Sequence, residues 1–158
     1  MELQGSRQAS GRRFAIVVSS FNKEITDGLL RGACAVLSEA GVTDADVTIV
    51  RVPGAFEIPL AARHLSMTDR FDAIVCLGCL IKGDTMHFEY LAEAVSQGLA
   101  RVALDSGVPV AFGVLTTLTD VQALERARPG DANKGAEVAR AAIEMASLFR
   151  SIDTEATS

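Results

Sequence analysis

Tryptophan is missing from this chain, and tyrosine (one) and histidine (two) are nearly so. With aromatics at 5%, the core must be aliphatic, and seven phenylalanines carry almost all of the ring chemistry. Three cysteines are too few, and odd in number, for the disulfide framework of a small secreted protein. A reducing, cytoplasmic compartment is expected instead. Positive charge is also in deficit: 15 Lys and Arg stand against 20 Asp and Glu, a net −5. That balance argues against nucleic acid as a partner, because phosphate neutralisation supplies most of such affinity. Long apolar runs are absent too. The longest, Ala73–Ile81 with Gly78 inside it, is far below the roughly 20 residues of a membrane helix. Phe14–Val18, behind Arg7, Arg12 and Arg13, is too short for a signal-peptide core. No membrane association is expected.

What is present is a chain 49% apolar and 22% charged, which excludes intrinsic disorder. Its 158 residues fit one domain, of a size that buries about 68–70% of its unfolded surface. That single domain is expected over 1–158, with a core at about 13–150, a loose first dozen residues and a flexible tail at 153–158.

Apolar runs alternate with helical periodicity throughout. Phe14–Val18 reads as a buried strand. Asn22 then opens a helix with Ile25, Leu29, Ala33, Val36, Leu37 and Ala40 on one face, ended by Gly41. Val47–Val52 is a second strand, closed by Pro53-Gly54, and a short helix follows over Ile58–Leu65 with Pro59 in its first turn. Ala73–Leu80, apolar on both faces, reads as a central parallel strand. Asp84 and Thr85 can cap a long helix with the stripe Leu91, Val95, Leu99 and Val102. Pro109–Leu115 is a fourth strand. Thr119 and Gln122 form a capping-box pattern for a helix to about Ala127. A last helix carries Val138, Ala142, Met145, Phe149 and Ile152. Strands alternating with helices predict an α/β fold, a parallel sheet covered on both faces. In such sheets ligands bind beyond the C-terminal strand ends.

At those ends, Gly78-Cys-Leu-Ile-Lys-Gly-Asp-Thr85 looks like a phosphate-binding loop, but Asp84 stands where its lysine belongs. A nucleotide triphosphatase is thereby disfavoured. Gly83 and a helix N-terminus still offer backbone N–H groups to an anion, though a capped helix without a ligand reads equally well. His87, in the first turn, is either an acid–base residue or a bystander; histidine is the side chain that exchanges protons near neutrality. His64 reads as solvated. Cys76 and Cys79 spell CxxC but lie in a strand, where positions three apart face opposite ways, so neither a disulfide nor shared ligation is natural. No His, Cys and carboxylate set has metal-ligand spacing, and no metal site is expected. Phe112 is core by default and Phe56 could be. Phe21, past a strand end, is free to stack on a flat ring. Glu57, Arg126 and Lys134 lie at element ends, where charges usually just face water.

Six segments taken together resemble the lumazine synthase family, the 6,7-dimethyl-8-ribityllumazine synthases of riboflavin biosynthesis. They are Ser20-Phe-Asn22, Val52-Pro-Gly-Ala-Phe-Glu-Ile-Pro59, Leu77 to Phe88, Gly113-Val-Leu-Thr-Thr117, Gln122 to Ala127 and Asn133-Lys-Gly-Ala-Glu137. Their order and separations match the family from about 13 to 150. The resemblance implies a flavodoxin-like three-layer α/β/α sandwich with a four-stranded parallel sheet, and an extra N-terminal strand added to a neighbouring subunit. It implies condensation of 5-amino-6-(D-ribitylamino)uracil with 3,4-dihydroxy-2-butanone 4-phosphate, without cofactor or metal. Carried over by position, Phe21 would stack on the pyrimidine. Ala55, Phe56 and Glu57 would line the ribityl side. Cys79, Leu80, Ile81 and Phe112 would border the ring. Asp84, Thr85 and Arg126 would meet the phosphate, His87 would move protons, and Lys134 would assist near the ribityl or phosphate end.

The resemblance also implies a homopentamer whose sites are shared, with Phe112, Arg126 and Lys134 coming from the second chain. Some members close into sixty-subunit icosahedral shells and enclose riboflavin synthase as a partner. Here Arg128-Pro-Gly-Asp-Ala132 replaces the usual shell-forming Gly-Thr-Lys-Ala-Gly, at unchanged length, and no proline precedes Phe14; the shell is the expectation. Lys82 stands where Arg is frequent, and Glu137 where Asp is. The alternatives are a non-catalytic lumazine- or flavin-binding relative, or a shell protein serving as a container. A non-catalytic relative could dispense with His87 and Arg126, and both are present.

Overall fold

The computed structural model describes residues 1–158. The four apolar runs form strands β1 (Phe14–Ser19), β2 (Val47–Val52), β3 (Ala73–Ile81) and β4 (Val110–Thr117), all parallel and ordered β2-β1-β3-β4. Between and after them run α1 (Lys23–Glu39), α2 (Ile58–Ser66), α3 (His87–Ser106), α4 (Asp120–Arg126) and α5 (Lys134–Ala156). The chain winds from β1 outward to β2, then returns to place β3 on the other side of β1. That reversal opens a crevice at the C-terminal ends of β1 and β3.

Strand alternation builds two cores. Phe14, Ile16 and Val18 of β1 join α1 and α5 on one face, while Ala15 and Val17 join α2 and α3 on the other. This is the expected α/β/α sandwich. The same alternation sends Cys76 into the α2/α3 core and Cys79 into the α1/α5 core, so the CxxC pair is a coincidence of spacing. All three thiols are free. The α1/α5 core holds 25 buried residues against 11 on the α2/α3 side, and the thinner side leaves more apolar surface outside. Phe56, Leu60, Tyr90 and Leu104 are all exposed there. No helix is long and apolar enough to cross a membrane.

Four expectations are corrected. Asp84 and Thr85 do not hold the cap position of α3: its first residue is His87 and Met86 stands at the cap, and of the two only Thr85 reaches the helix, its Oγ1 accepting the His87 N–H at 3.4 Å. The stripe of α5 leaves the core after Ala142, since Met145, Phe149 and Ile152 are exposed and Ala139, Ile143 and Ala146 are buried in their place. Small residues win because α1 and α5 pack closely. From Gly5 on, the first dozen residues are not loose either. Ala9 is buried and bonded through its N–H to Ala40 O (2.9 Å), Ser6 N–H donates to Ser147 Oγ (3.0 Å), and Arg12 donates to Ala146 O (3.2 Å). They form no strand within the chain. Residues 153–156, in the segment expected as a tail, continue α5.

Candidate active site

The crevice is occupied by a cleft of about 530 Å³. Backbone bonds between strand ends build its floor. Ser20 N–H donates to Val52 O (2.8 Å) and Phe21 N–H to Pro53 O (3.0 Å), tying the exit of β1 to that of β2. Asn22 takes a left-handed backbone (φ 58°, ψ 49°), a conformation that Asn tolerates better than most residues. Its amide donates to Cys79 O at 3.2 Å, tying the same turn to β3. Held on both sides, Phe21 projects its ring into solvent at 66% exposure. Such a ring has too little protein around it to be core and is available to a planar ligand.

After β2, a single 3₁₀ turn over Ala55–Glu57 is closed by Gly54 N–H donating to Glu57 Oε2 at 3.0 Å. The turn buries Ala55, leaves Phe56 exposed, and fixes the Glu57 carboxylate beside Phe21. After β3, the loop Lys82–Met86 is bridged by an ion pair from Lys82 Nζ to Glu89 Oε1 (3.1 Å). Its own backbone N–H, and then the Lys82 ammonium, hold the Glu89 carboxyl below its ordinary value. This bridge delivers Thr85 and His87 to the cleft, with His87 N–H donating to Thr85 Oγ1 at 3.4 Å. Gly83 presents bare backbone to the same space.

Phe21, Ala55, Phe56, Glu57, Cys79, Leu80, Ile81, Thr85 and His87 therefore share one cleft. Asp84 is exposed and lies outside it, contrary to its expected place beside Thr85. Four further lining residues were not singled out as binding groups: Asn22, Gly54, Phe88 and Leu91. Leu91 reads as core by its helical spacing, yet it is only half buried and turned to the cleft. The Cys79 thiol, packed in the α1/α5 core, is pushed up to about 11, chiefly by burial and secondarily by Asp120. It is protonated at neutral pH and no nucleophile.

The remaining candidates lie elsewhere. Phe112, Arg126 and Lys134 line a second cleft of about 520 Å³ that wraps the free edge of β4 and shares no residue with the first. Because β4 is an edge strand, Phe112 is 42% exposed rather than core. It pairs in register with Cys76, three residues before Cys79, so it lies about 10 Å back along the strands. Arg126 Nη1 donates to Gln122 O (2.9 Å) and Lys134 Nζ pairs with Glu137 Oε1 (2.7 Å). The second cleft thus gathers two cations and one carboxylate beside an exposed ring. The first cleft has the histidine and a carboxylate, the second the cations.

Comparison with known proteins identifies the family. The family model for 6,7-dimethyl-8-ribityllumazine synthase matches residues 11–150. The chain is 51% identical over 146 residues to the 6,7-dimethyl-8-ribityllumazine synthase of Desulfotalea psychrophila, covering 92% of this chain and 94% of that one. It is 50% identical over 149 residues to the same-named protein of Syntrophus aciditrophicus, covering 94% and 97%.

Proposed function

The chain belongs to the 6,7-dimethyl-8-ribityllumazine synthase family, and from that premise we propose that its working site is assembled from the two clefts of neighbouring copies. The reaction is the condensation of 5-amino-6-(D-ribitylamino)uracil with 3,4-dihydroxy-2-butanone 4-phosphate, the penultimate step of riboflavin biosynthesis. The amine adds to the ketone and loses water to give an imine. Abstraction of a proton then expels phosphate, and the ribityl-bearing nitrogen closes the second ring with loss of another water.

In this reading Phe21 stacks on the pyrimidine, and the backbone at Cys79–Ile81 borders its edge. Glu57 accepts hydrogen bonds from ribityl hydroxyls, its turn already fixed by Gly54. Arg126 of the neighbouring copy takes the phosphate facing Thr85, Lys134 and Phe112 of that copy close the other side, and His87 carries protons between the reacting atoms. Holding two substrates in register is worth several kcal/mol by itself. The observation that carries the proposal is the division of the family's site residues between two clefts with no residue in common. A groove of about 920 Å³ between α2 and α3 adjoins the first cleft through Phe56 and Glu57, and its exposed apolar rim suits a second copy.

In the same reading, which here rests on the family resemblance, the assembly is a cytoplasmic pentamer, and the unchanged length of 128–132 favours a sixty-subunit shell able to enclose riboflavin synthase. From a chain of 16.7 kDa, sedimentation should then give roughly 1,000 kDa for the shell against roughly 84 kDa for a pentamer. The activity itself is tested by incubating the protein with both substrates and following lumazine absorbance with phosphate release. Acceleration over the spontaneous condensation is expected, and its absence overturns the assignment.

A further inference from the structure

We propose that Asn133 is the positioning residue of the second cleft, setting the spacing of Arg126 and Lys134 without touching either substrate. The inference rests on the reading above, in which Arg126 receives the phosphate. Asn133 is 1% exposed. Its Nδ2 lies 3.1 Å from Gly28 O, 3.0 Å from Ala127 O and 3.0 Å from Arg128 O, and its Oδ1 accepts the Ala136 N–H at 3.0 Å. Two amide protons thus serve three carbonyls, and one oxygen caps α5. Arg126 is the last residue of α4 and Lys134 the first of α5. One side chain therefore joins the end of α4, the start of α5 and the middle of α1.

Nothing else in the connection has that reach. Residues 128–132 are all exposed, and only Ala127 and Asn133 are buried between the two cations. The seat is also closed sterically. A methyl on Gly32 would overlap the Asn133 amide, one on Gly135 would overlap Leu29 O, and one on Gly28 would come within 2.7 Å of Ala127 O. Three glycines let α1, the loop and α5 meet around one amide, and the two cations diverge from that point.

The test compares Asn133→Ser, which can still cap α5 but lacks the amide donors, with Asn133→Asp and with Gly32→Ala. The last leaves every group of the cleft intact and displaces only the amide. KM for the butanone phosphate should rise roughly ten- to a hundredfold in all three, because small misplacement of a binding group costs that much. KM for the ribitylaminouracil and kcat at saturation should stay within about threefold. Gly32→Ala decides the matter if Asn133→Ser fails to fold. Unchanged KM in the folded variants, or a uniform loss in kcat and both KM values, overturns the proposal. Arg126→Ala is the control. If it leaves KM for the phosphate substrate unchanged, the assignment of Arg126 falls; if it raises KM while the other variants do not, only Asn133 loses its role.

Discussion

The ring of Phe21 lies against the α-carbon of Gly54: a methyl group there would sit 2.8 Å from ring carbon Cδ2 and 3.1 Å from Glu57 Oε2. Gly54 has an extended backbone (φ −133°, ψ 178°) that any residue adopts, so alanine would act through this contact alone. Phe21 is free to swing outward at little cost in stability. Gly54→Ala should therefore leave the melting temperature nearly unchanged while weakening the ribitylaminouracil. About a tenfold rise in its KM is expected, since an aromatic–base stack is worth about 1–3 kcal/mol. A lowered melting temperature with unchanged KM would show that the glycine serves the turn and not the ring.

If the site is shared, a defect in one cleft can be covered by the neighbour. His87→Ala damages the first cleft and Arg126→Ala the second, so each pure protein should be nearly inactive. Dissociated, mixed in equal amounts and reassembled, random pairing makes roughly one site in four intact, one half times one half. About a quarter of parental activity should return. A mixture that assembles yet stays inactive means that both clefts of a site belong to one chain.

The two clefts also mark the limit of what the sequence discloses. Strand β2 and the α1 stripe were legible to the residue, because alternation and helical periodicity are local. The family motifs named nearly every lining residue. They could not tell that Phe112 lies on an edge strand, which depends on the order of the sheet, nor that Asp84 falls outside the cleft lining, which depends on where α3 starts. Asn133 carried a readable signal, an Asn one residue ahead of a helix. Its three bonds to distant carbonyls were not readable. In α5 the large residues Met145, Phe149 and Ile152 drew attention from the alanines that make the contact with α1.

Asp27 accepts from Lys23 Nζ at 2.6 Å and from Arg51 Nη1 at 2.9 Å. Its hydrogen bond from Lys23, with Arg51 adding to it and burial opposing, holds the carboxyl below its ordinary 3.8. A carboxyl depressed by folding stabilises above its unfolded value, and the gain is lost as pH falls through the folded one. Asp27→Asn should thus be less stable than the parent at pH 7, by at most about 1 kcal/mol because the pair is partly solvated. The gap should begin to narrow as pH falls past 3.8 and vanish only below the folded value. Urea unfolding at pH 7 and down through the acid range measures it, and a gap that stays constant as pH falls would assign the loss to packing.

Burial raises all three thiols, Cys79 to about 11 and Cys76 further, while Cys34 is only half buried and is raised by burial and then by Asp44. A thiol is neutral when protonated, so a raised value stabilises the fold below the ordinary 9.0 and that share is lost as pH climbs to about 11. Cys79→Ala should accordingly lose stability against the parent at pH 8 and lose less near pH 11, which thermal melts across that range would follow. Reactivity is set by the same protons, since only the thiolate attacks an alkylating reagent. Iodoacetamide at pH 8 should label Cys34 first in the native protein and all three thiols in urea. Activity should survive the native labelling, because Cys34 lines neither cleft and Cys79 offers the cleft its backbone, with the carbonyl already bonded to Asn22. Inactivation in step with Cys79 labelling would instead make its thiol part of the reaction.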